Sequence, residues 1–389
     1  MRPSTRTTFL ILGTLAMRLA VGEPLQAQES DEVQFKTSAL ELTFNGRIQI
    51  QASTSSCSEF PIPNDSACNR QVPATDLFLR RVRLTVSGKI NDMIDFRIQP
   101  DYNKIDSLGL KDAWGRFTFS KAARLKAGLF KRPFDGFVLV SSTQALTVER
   151  EVAIRGLETV IAPSLSGFTT LFDLSERDIG VELSGSTNSG LFSYWVGGFA
   201  GNSDFQFRDS NASKQFVGRG QVQFDAGPRK LKFAAAAAAT DDAYETVTEG
   251  MKSRYYYNYE LFAEWGDFGE GPHAQLGFVF GDNPLRNRAN DEIDPEAGDD
   301  FASMSTWQAI VSWKFGVGDG DMALEPVLRV TWADGNTDFE KNEVWGFTPG
   351  LQIFFYRRNK LALNWDFANP TSDTLRSENS FKARLQFHF

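Results

Sequence analysis

Basic side chains recur at alternate positions in several short segments of this 389-residue chain. Arg81 and Arg83 are separated by the apolar Val82, so in an extended backbone the two arginines point to one side and the valine to the other. Strands with this pattern can line a water-filled space with fixed positive charge, which attracts and coordinates anions. Alternation predicts this orientation for Arg47, Arg81, Arg83, Arg97, Arg116, Arg124, Lys126, Arg219, Arg329 and Arg384.

Acidic side chains occur on the same predicted faces. If they pair with the bases, the charges only solvate a polar wall and do not select a solute. A further stretch, residues 281–300, carries seven acids but only two bases, Arg286 and Arg288. Its net negative charge would repel approaching anions. The acids that share faces with the bases are Asp95, Asp112, Glu182, Glu325 and Asp366.

The segment that contains Arg81 and Arg83 has the pattern of a β-hairpin. Residues 80–89 and 94–102 both alternate apolar and polar side chains, and Asn91 and Asp92 between them favour a turn. A strand pair with one charged and one apolar face needs water on the first and either a protein core or lipid on the second. A soluble β-sandwich and a membrane barrel both meet this requirement.

About sixteen segments of roughly ten residues repeat this alternation, separated in turn by short turns and by longer polar connections such as residues 241–254. Aromatic residues such as Trp307, Trp345 and Trp365 recur near segment ends, as in the interfacial girdles of membrane barrels. The pattern predicts an all-β fold, a transmembrane antiparallel β-barrel of about 16 strands over residues 41–389. Residues 131–176 interrupt the alternation, and residues 234–239, all alanine, are interpreted as a strand where a neighbouring subunit could pack closely, or as a short helix.

The N-terminus has the features of a secretory signal peptide. Arg2 and Arg6 precede an apolar stretch, and the small Ala27 fits a cleavage site, so residues 1–27 are expected to be removed and 28–40 to form a periplasmic segment. Removal takes three arginines and one glutamate from 41 basic and 49 acidic residues, which leaves a net charge of −10. An exported protein this acidic is not expected to bind nucleic acid.

Cys57 and Cys68 are the only cysteines and flank a short loop that contains proline and asparagine. In an oxidising compartment they are candidates for a disulfide, which would stabilise the fold by up to about 3 kcal/mol. A zinc site is disfavoured because the only histidines, His273 and His388, are remote in sequence. No metal or cofactor is expected.

The last segment, residues 380–389, is amphipathic and ends in Phe389. Phe381, Leu385 and Phe387 share one face with this terminal phenylalanine, while Lys382, Arg384 and His388 share the other. An amphipathic last strand that ends in phenylalanine resembles the signal by which bacterial outer-membrane barrels are recognised. The barrel-assembly machinery and outer-membrane lipid are therefore expected partners.

Four motifs and the terminal phenylalanine carry a family resemblance. The motifs are LRRVRLTVSGKINDMIDFRI (79–98), WGRFTFSKAARLKAGLFKRPFDGF (114–137), SSTQALTVERE (141–151) and RDIGVELSG (177–185). Together they resemble the phosphate-selective porin O and P family. The resemblance implies a sixteen-stranded channel, usually trimeric, whose third outer loop folds inward as a constriction. Lys131 and Arg132 lie where the chain would turn inward, and Ser141 and Ser142 match the hydroxyl pair of that constriction. Residues 137–140 are apolar, where phosphate-specific members carry a base.

The resemblance implies an outer-membrane porin that passes small anions such as phosphate or polyphosphate, without enzymatic activity. A general porin for small hydrophilic solutes remains open because of the acids beside the bases. An outer-membrane hydrolase would need a nucleophile and a base in reach, and neither histidine has such a motif around it. A β-rich binding protein is the remaining alternative, and it would be soluble without detergent.

Overall fold

The computed structural model describes residues 33–37, 40–56, 74–104, 107–152, 164–201, 212–246, 250–269, 271–289, 291–294, 298–318, 320–371 and 377–389. Within these residues the chain forms seventeen strands and two short helices. The strands are β1 (Val33–Lys36), β2 (Glu41–Ser56), β3 (Ala74–Lys89), β4 (Ile94–Lys104), β5 (Ser107–Ser120), β6 (Ala123–Lys131), β7 (Arg177–Ser186), β8 (Phe192–Phe199), β9 (Gln215–Ala226), β10 (Arg229–Thr246), β11 (Gly250–Trp265), β12 (Gly271–Asn287), β13 (Phe301–Gly316), β14 (Ala323–Asp334), β15 (Glu343–Tyr356), β16 (Asn359–Pro370) and β17 (Glu378–His388). The helices are α1 (Gly136–Leu139) and α2 (Leu165–Leu171).

Strands β2 to β17 form one closed antiparallel barrel, which confirms the predicted sixteen strands. Each strand pairs with the next along the chain, and β17 returns to β2, with Phe387 opposite Ile48. Closure leaves the barrel without a free sheet edge. The additional strand β1 was not predicted; it pairs with the beginning of β2, with Val33 opposite Phe44.

Polar and apolar residues divide between the two faces of the barrel wall. Inward side chains such as Gln49, Glu260 and Arg329 are buried, while outward ones such as Leu276 and Trp313 are more than half exposed. The period-two alternation of the sequence therefore corresponds to an inner polar and an outer apolar face. Neither helix in the described part of the chain is long and apolar enough to cross a membrane.

Strands β10 and β11 extend further than expected. Residues 241–254 were predicted as a long connection, but the ladder continues through Tyr244 opposite Lys252 to Thr246 opposite Gly250. The run of alanines at 234–239 lies inside β10, so the helical alternative is wrong for this segment. Ala236 pairs with Arg219 on one side and Glu260 on the other, and two complete ladders of backbone hydrogen bonds outweigh the helix preference of alanine.

The segment between β6 and β7 packs against the inner face of the wall. Its helices α1 and α2 contribute Phe137, Leu165 and Phe168 to an apolar cluster with Val279 and Met304 of the barrel. Phe137 lies edge-to-face with Phe262 of β11, with ring centroids 5.3 Å apart. A Cβ atom on the inward Gly277 would come within 2.5 Å of the Phe137 ring, so the glycine makes room for this contact. Apolar side chains on the inner face of β12 to β14 thus pack against apolar side chains of the segment.

Candidate functional site

A cavity of about 530 Å³ lies between the inner face of strands β2 to β9 and the segment that follows β6. Nine bases and two acids line it, although the whole chain has a net charge of −8. The acids are Asp112 and Glu182. The bases are Arg47, Arg83, Arg97, Arg116, Lys126, Lys131, Arg150, Arg177 and Arg219. The strands therefore concentrate positive charge on one part of an otherwise acidic protein.

Ser141 and Ser142 border the cavity directly after α1. Arg47 donates a hydrogen bond from Nη1 to Ser142 Oγ over 2.6 Å, and Gln49 Nε2 donates to the Ser142 carbonyl over 3.3 Å. The hydroxyl oxygens of Ser141 and Thr143 are 3.0 Å apart. These bonds connect the serine pair to β2 and orient two hydroxyl groups beside a guanidinium group.

Two further bases hold the carbonyl oxygens at the end of α1. Lys131 Nζ donates to the carbonyls of Val138 and Val140, the second over 3.3 Å. Arg150 donates from Nε to the Phe137 carbonyl over 3.2 Å and from Nη2 to the Val140 carbonyl over 2.5 Å. No carboxylate of the described residues forms an ion pair with these two bases or with Arg47. All three line the cavity.

Most other bases of the cavity have acidic partners. The shortest nitrogen-to-oxygen distances lie between 2.5 and 2.9 Å, as expected for charge-assisted hydrogen bonds. These pairs reduce the net positive field of the wall. The three bases near the serines differ from them, because they have no carboxylate partner among the described residues. The pairs are Arg83 with Asp101, Arg116 with Asp95, Lys126 with Glu182, Arg177 with Asp112 and Arg219 with Glu260.

The far side of the segment is anchored to β14 and β17. Arg329 is fully buried and donates to the carbonyls of Glu149 and Arg150 over 3.0 and 2.8 Å. Asp366 accepts from the same guanidinium group over 2.8 Å. Arg384 donates to the carbonyl of Val148. These two arginines were predicted on the inner face, and there they bind the backbone of the segment.

Glu149 connects the segment to β3. A register shift between Gln49 and Ile50 leaves Arg80 without a cross-strand partner in β2, and both Arg80 and Arg81 reach the Glu149 carboxylate. The distances are 2.6 Å from Arg80 and 3.7 Å from Arg81. Burial opposes ionisation of Glu149, but the two guanidinium groups outweigh it and hold the pKa of that carboxyl well below its usual range.

Glu151 titrates differently, although it lies only two residues away. Burial, together with the carboxylates of Glu149 and Glu176, raises the pKa of Glu151 to about 7. Arg80 and Arg150 act in the opposite direction but less strongly. The segment therefore carries one carboxyl that stays ionised and one that changes its charge near neutral pH.

The predicted site residues fall into two groups. Besides Arg329 and Arg384, three predicted bases do not line the cavity: Arg81 is buried against Gln49, Arg132 is fully buried in an ion pair with Asp178, and Arg124 lies near the turn before β6. Cys57 and Cys68 lie outside the described residues. The predicted residues that line the cavity are Arg47, Arg83, Arg97, Arg116, Lys126, Arg219, Lys131, Ser141 and Ser142.

Sequence reasoning missed Arg150 and Arg177. Arg150 belongs to the segment without strand alternation, so no periodicity could place it. Arg177 is the first residue of β7, where strict alternation from Ile179 would turn it outward, yet its Nε lies 2.7 Å from Asp112 inside the barrel. Neither residue had a signal in the sequence beyond its positive charge.

Phe389 closes the barrel at the other end of the chain. Its backbone exchanges two hydrogen bonds with Gly46, over 2.7 and 3.1 Å, and its ring covers the space that a Cβ atom on Gly46 would occupy. The terminal phenylalanine is therefore continuous with the ladder between β17 and β2.

Solved structures with the same fold cover nearly the whole chain at low identity. The outer membrane channel DcaP of Acinetobacter baumannii has a TM-score of 0.58 and 10% identity over 91% of this chain and 99% of its own. OprB of Pseudomonas putida has a TM-score of 0.57 and 10% identity, with coverage of 89% and 94%. OmpT of Vibrio cholerae, in a trimer form, has a TM-score of 0.53 and 11% identity, with coverage of 90% and 100%. At these identities the likeness shows the fold alone.

Sequence comparison identifies the family. The family model named phosphate-selective porin O and P matches residues 64–257, about half of the chain and the part that contains most of the cavity. None of the curated proteins compared with the chain is significantly similar to it. The chain belongs to the phosphate-selective porin O and P family and forms a porin channel of the bacterial outer membrane.

Proposed function

We infer that this porin conducts small anions past a constriction formed by Arg47, Lys131, Arg150, Ser141 and Ser142. The observation that carries this proposal is the convergence of three bases, none paired with a carboxylate of the described residues, on two hydroxyl groups. An anion that leaves water needs donors to replace its hydration shell. Guanidinium, ammonium and hydroxyl groups supply such donors, and the cations also raise the local anion concentration.

The segment after β6 acts as the inward-folded third outer loop in this proposal. Its bonds to the wall support this role, because Ser142 binds β2 and Val148 binds the adjacent β17. Asp135 and Gly136 add a third attachment by donating their backbone N–H groups to Glu260 of β11 over 2.9 and 2.7 Å. A loop held at three places narrows the lumen to the cavity beside β2 to β9.

The ion pairs favour a general anion preference over strict phosphate specificity. Six of the nine bases that line the cavity are in contact with carboxylates, so the net field is smaller than the count of bases implies. Phosphate and polyphosphate are then permeant solutes among others. A general porin without anion preference is the alternative, and it predicts no selectivity between chloride and potassium.

Permeation in this proposal is passive, without catalytic turnover. His273, one of the two histidines considered for a hydrolase, is 1% exposed, and its Nε2 lies 3.2 Å from Glu264 Oε1. The ring of Phe268 packs against its imidazole with centroids 4.3 Å apart. A base enclosed in this way cannot reach a solute in the lumen.

The porin is proposed to be a homotrimer exported by the signal peptide at residues 1–27. The outward surface of β8 to β10 supports close contact between subunits, since Gly198, Gly218 and Ala237 leave a shallow apolar depression there. Residues 28–40 form the proposed periplasmic segment before the barrel, and Phe389 the signal for the barrel-assembly machinery. Crosslinking of the protein in outer membranes tests the trimer.

Reversal potentials in planar bilayers test the proposed selectivity. With a gradient of potassium chloride, the reversal potential of the purified porin should have the sign of a chloride-selective channel. Replacing chloride by phosphate should leave a measurable anion current. Equal permeability of chloride and potassium, or a preference for potassium, would refute an anion channel and support the general porin.

A further inference from the structure

The cavity has an aromatic side as well as a basic one. Trp114 of β5 and Trp195 of β8 both face the lumen and line it together with Phe130 of β6. Pro133 and Leu139 extend this apolar surface into the segment after β6. The lumen of a membrane barrel is ordinarily polar, and small inorganic anions gain nothing from indole rings. The two tryptophans therefore indicate an additional requirement of the solute.

The aromatic rings and the bases alternate in space. Trp114 is the cross-strand partner of Arg97 and precedes Arg116 by two residues, so the three side chains share the inner face. The guanidinium carbons of Arg97 and Arg116 lie 5.7 and 5.5 Å from the indole centroid. Trp195 is likewise paired across the sheet with Arg219.

Lys126 and Phe130 repeat the arrangement on β6, with Nζ 4.0 Å from the ring centroid. A cation beside a ring can bind the charged group of a ligand while the ring binds its apolar body. Inorganic phosphate or chloride would use only half of this surface. An anion that also carries an aromatic ring would use both halves.

We propose that the cavity selects aromatic carboxylates over inorganic and small aliphatic anions. The carboxylate would bind at Arg47 and Ser142, where a forked guanidinium group lies beside a hydroxyl. The ring of the solute would then contact Trp114 or Trp195. The volume of about 530 Å³ lies within the range of sites for small organic ligands, which is about 300–1,000 Å³.

This inference rests on the proposed anion conductance, and both are measured in the same bilayers. The porin is reconstituted in planar bilayers, and the concentrations of benzoate and of acetate that halve the chloride current are determined. The two probes share a carboxylate and differ in the ring. We expect benzoate to halve the current at a roughly two- to tenfold lower concentration than acetate, because benzoate makes one aromatic contact that acetate lacks.

Three variants locate the effect. In Trp195→Leu and Trp114→Leu, the concentrations of benzoate and of acetate that halve the chloride current should become similar. The chloride-to-potassium permeability ratio should not change. Trp313→Leu is the matched control, since this tryptophan is 59% exposed on the outer face, and it should keep the wild-type difference. A further variant, Trp195→Phe, retains an aromatic ring and should restore most of the preference.

The outcomes separate the two proposals. A chloride-selective porin that does not distinguish benzoate from acetate, or whose preference persists in both lumenal leucine variants, overturns the aromatic site and leaves anion conductance standing. Loss of the preference in Trp313→Leu also overturns it, because benzoate would then act through the lipid. A channel without anion selectivity overturns the proposed function itself. If Trp114→Leu does not fold, the Trp195 variants decide.

Discussion

Arg47 Nη1 and Ser142 Oγ are 2.6 Å apart, although 95 residues separate them in sequence. The bond connects an inward arginine of β2 to the hydroxyl of a segment that has no strand pattern. Since Arg47 has no carboxylate partner among the described residues, it contributes both to the position of the serine and to the charge of the cavity. The proposed anion selectivity and the position of the segment therefore both depend on this contact.

Neutralising Arg47 should weaken anion selectivity. In Arg47→Gln the glutamine can still donate to Ser142, but one unpaired positive charge is lost beside the permeation path. We expect the chloride-to-potassium permeability ratio to fall roughly fivefold, which corresponds to about 1 kcal/mol for a charge near a permeating ion. Arg124→Gln is the matched control, because Arg124 does not line the cavity. An equal effect of both substitutions would mean that only the overall charge of the barrel matters.

Removing the buried Arg329 should loosen the segment without opening the barrel. Arg329→Met deprives the carbonyls of Glu149 and Arg150 of their donor and leaves Asp366 with Lys382 and Thr348 as partners. Breaking a buried ion pair costs about 3–5 kcal/mol. Here the loss should mainly weaken the attachment of the segment to the barrel wall. Single-channel recordings should show noisier open states and higher conductance. An unchanged conductance in a protein that retains heat-modifiable mobility would contradict the anchoring role.

Anion selectivity should increase as the pH falls from 8 to 6. The pKa of Glu151 is raised to about 7, so its carboxyl is charged above this pH and neutral below it. Loss of a negative charge near the proposed constriction favours anions, and the chloride-to-potassium permeability ratio should therefore rise at lower pH. Reversal potentials measured across this range test the sign.

Glu151→Gln provides the control for the pH effect. The variant should have the low-pH selectivity at every pH, whereas Glu149→Gln should not remove the pH dependence because the pKa of Glu149 is held far below this range. A pH dependence that persists in Glu151→Gln would assign the effect to another group.

The contact between Gly46 and Phe389 should affect barrel stability. A Cβ atom at position 46 would lie 2.5 Å from the Phe389 ring, so Gly46→Ala must displace the ring from the junction of β2 and β17. We expect a destabilisation of about 1 kcal/mol, visible as a lower temperature of conversion from the folded to the unfolded electrophoretic band. Gly115→Ala is the control, since nothing lies within 4 Å of its Cβ position. Equal behaviour of the two variants would count against this packing.

Strand number, order and facing could be predicted from the sequence with few errors. Alternation is a local property, because successive side chains of an extended backbone point to opposite sides whatever lies beyond them. It therefore placed Arg47 and Arg83 on the inner face without reference to their partners. It failed at strand ends, where β10 and β11 continue past the predicted loop and where Arg177 turns inward.

Motifs predicted the roles of the terminal phenylalanine and the hydroxyl pair, which stay predictions, and they predicted the family, which is confirmed. Motifs could not distinguish a base that lines the cavity from a neighbouring base that does not, since Lys131 borders the cavity while the adjacent Arg132 is buried against Asp178. That difference depends on which residues of β7 lie opposite.

The sequence by itself determined that this chain is a closed barrel with bases on its inner wall. The period-two pattern assigns each side chain to one face, and the regular series of an even number of amphipathic strands indicates closure. Only the tertiary structure decided which bases remain available. Arg329 and Arg384 bind backbone carbonyls of the segment, whereas Arg47 and Arg150 remain beside the cavity without a carboxylate partner among the described residues. Ion pairing and loop anchoring are contacts between residues far apart in sequence, and no local pattern encodes them.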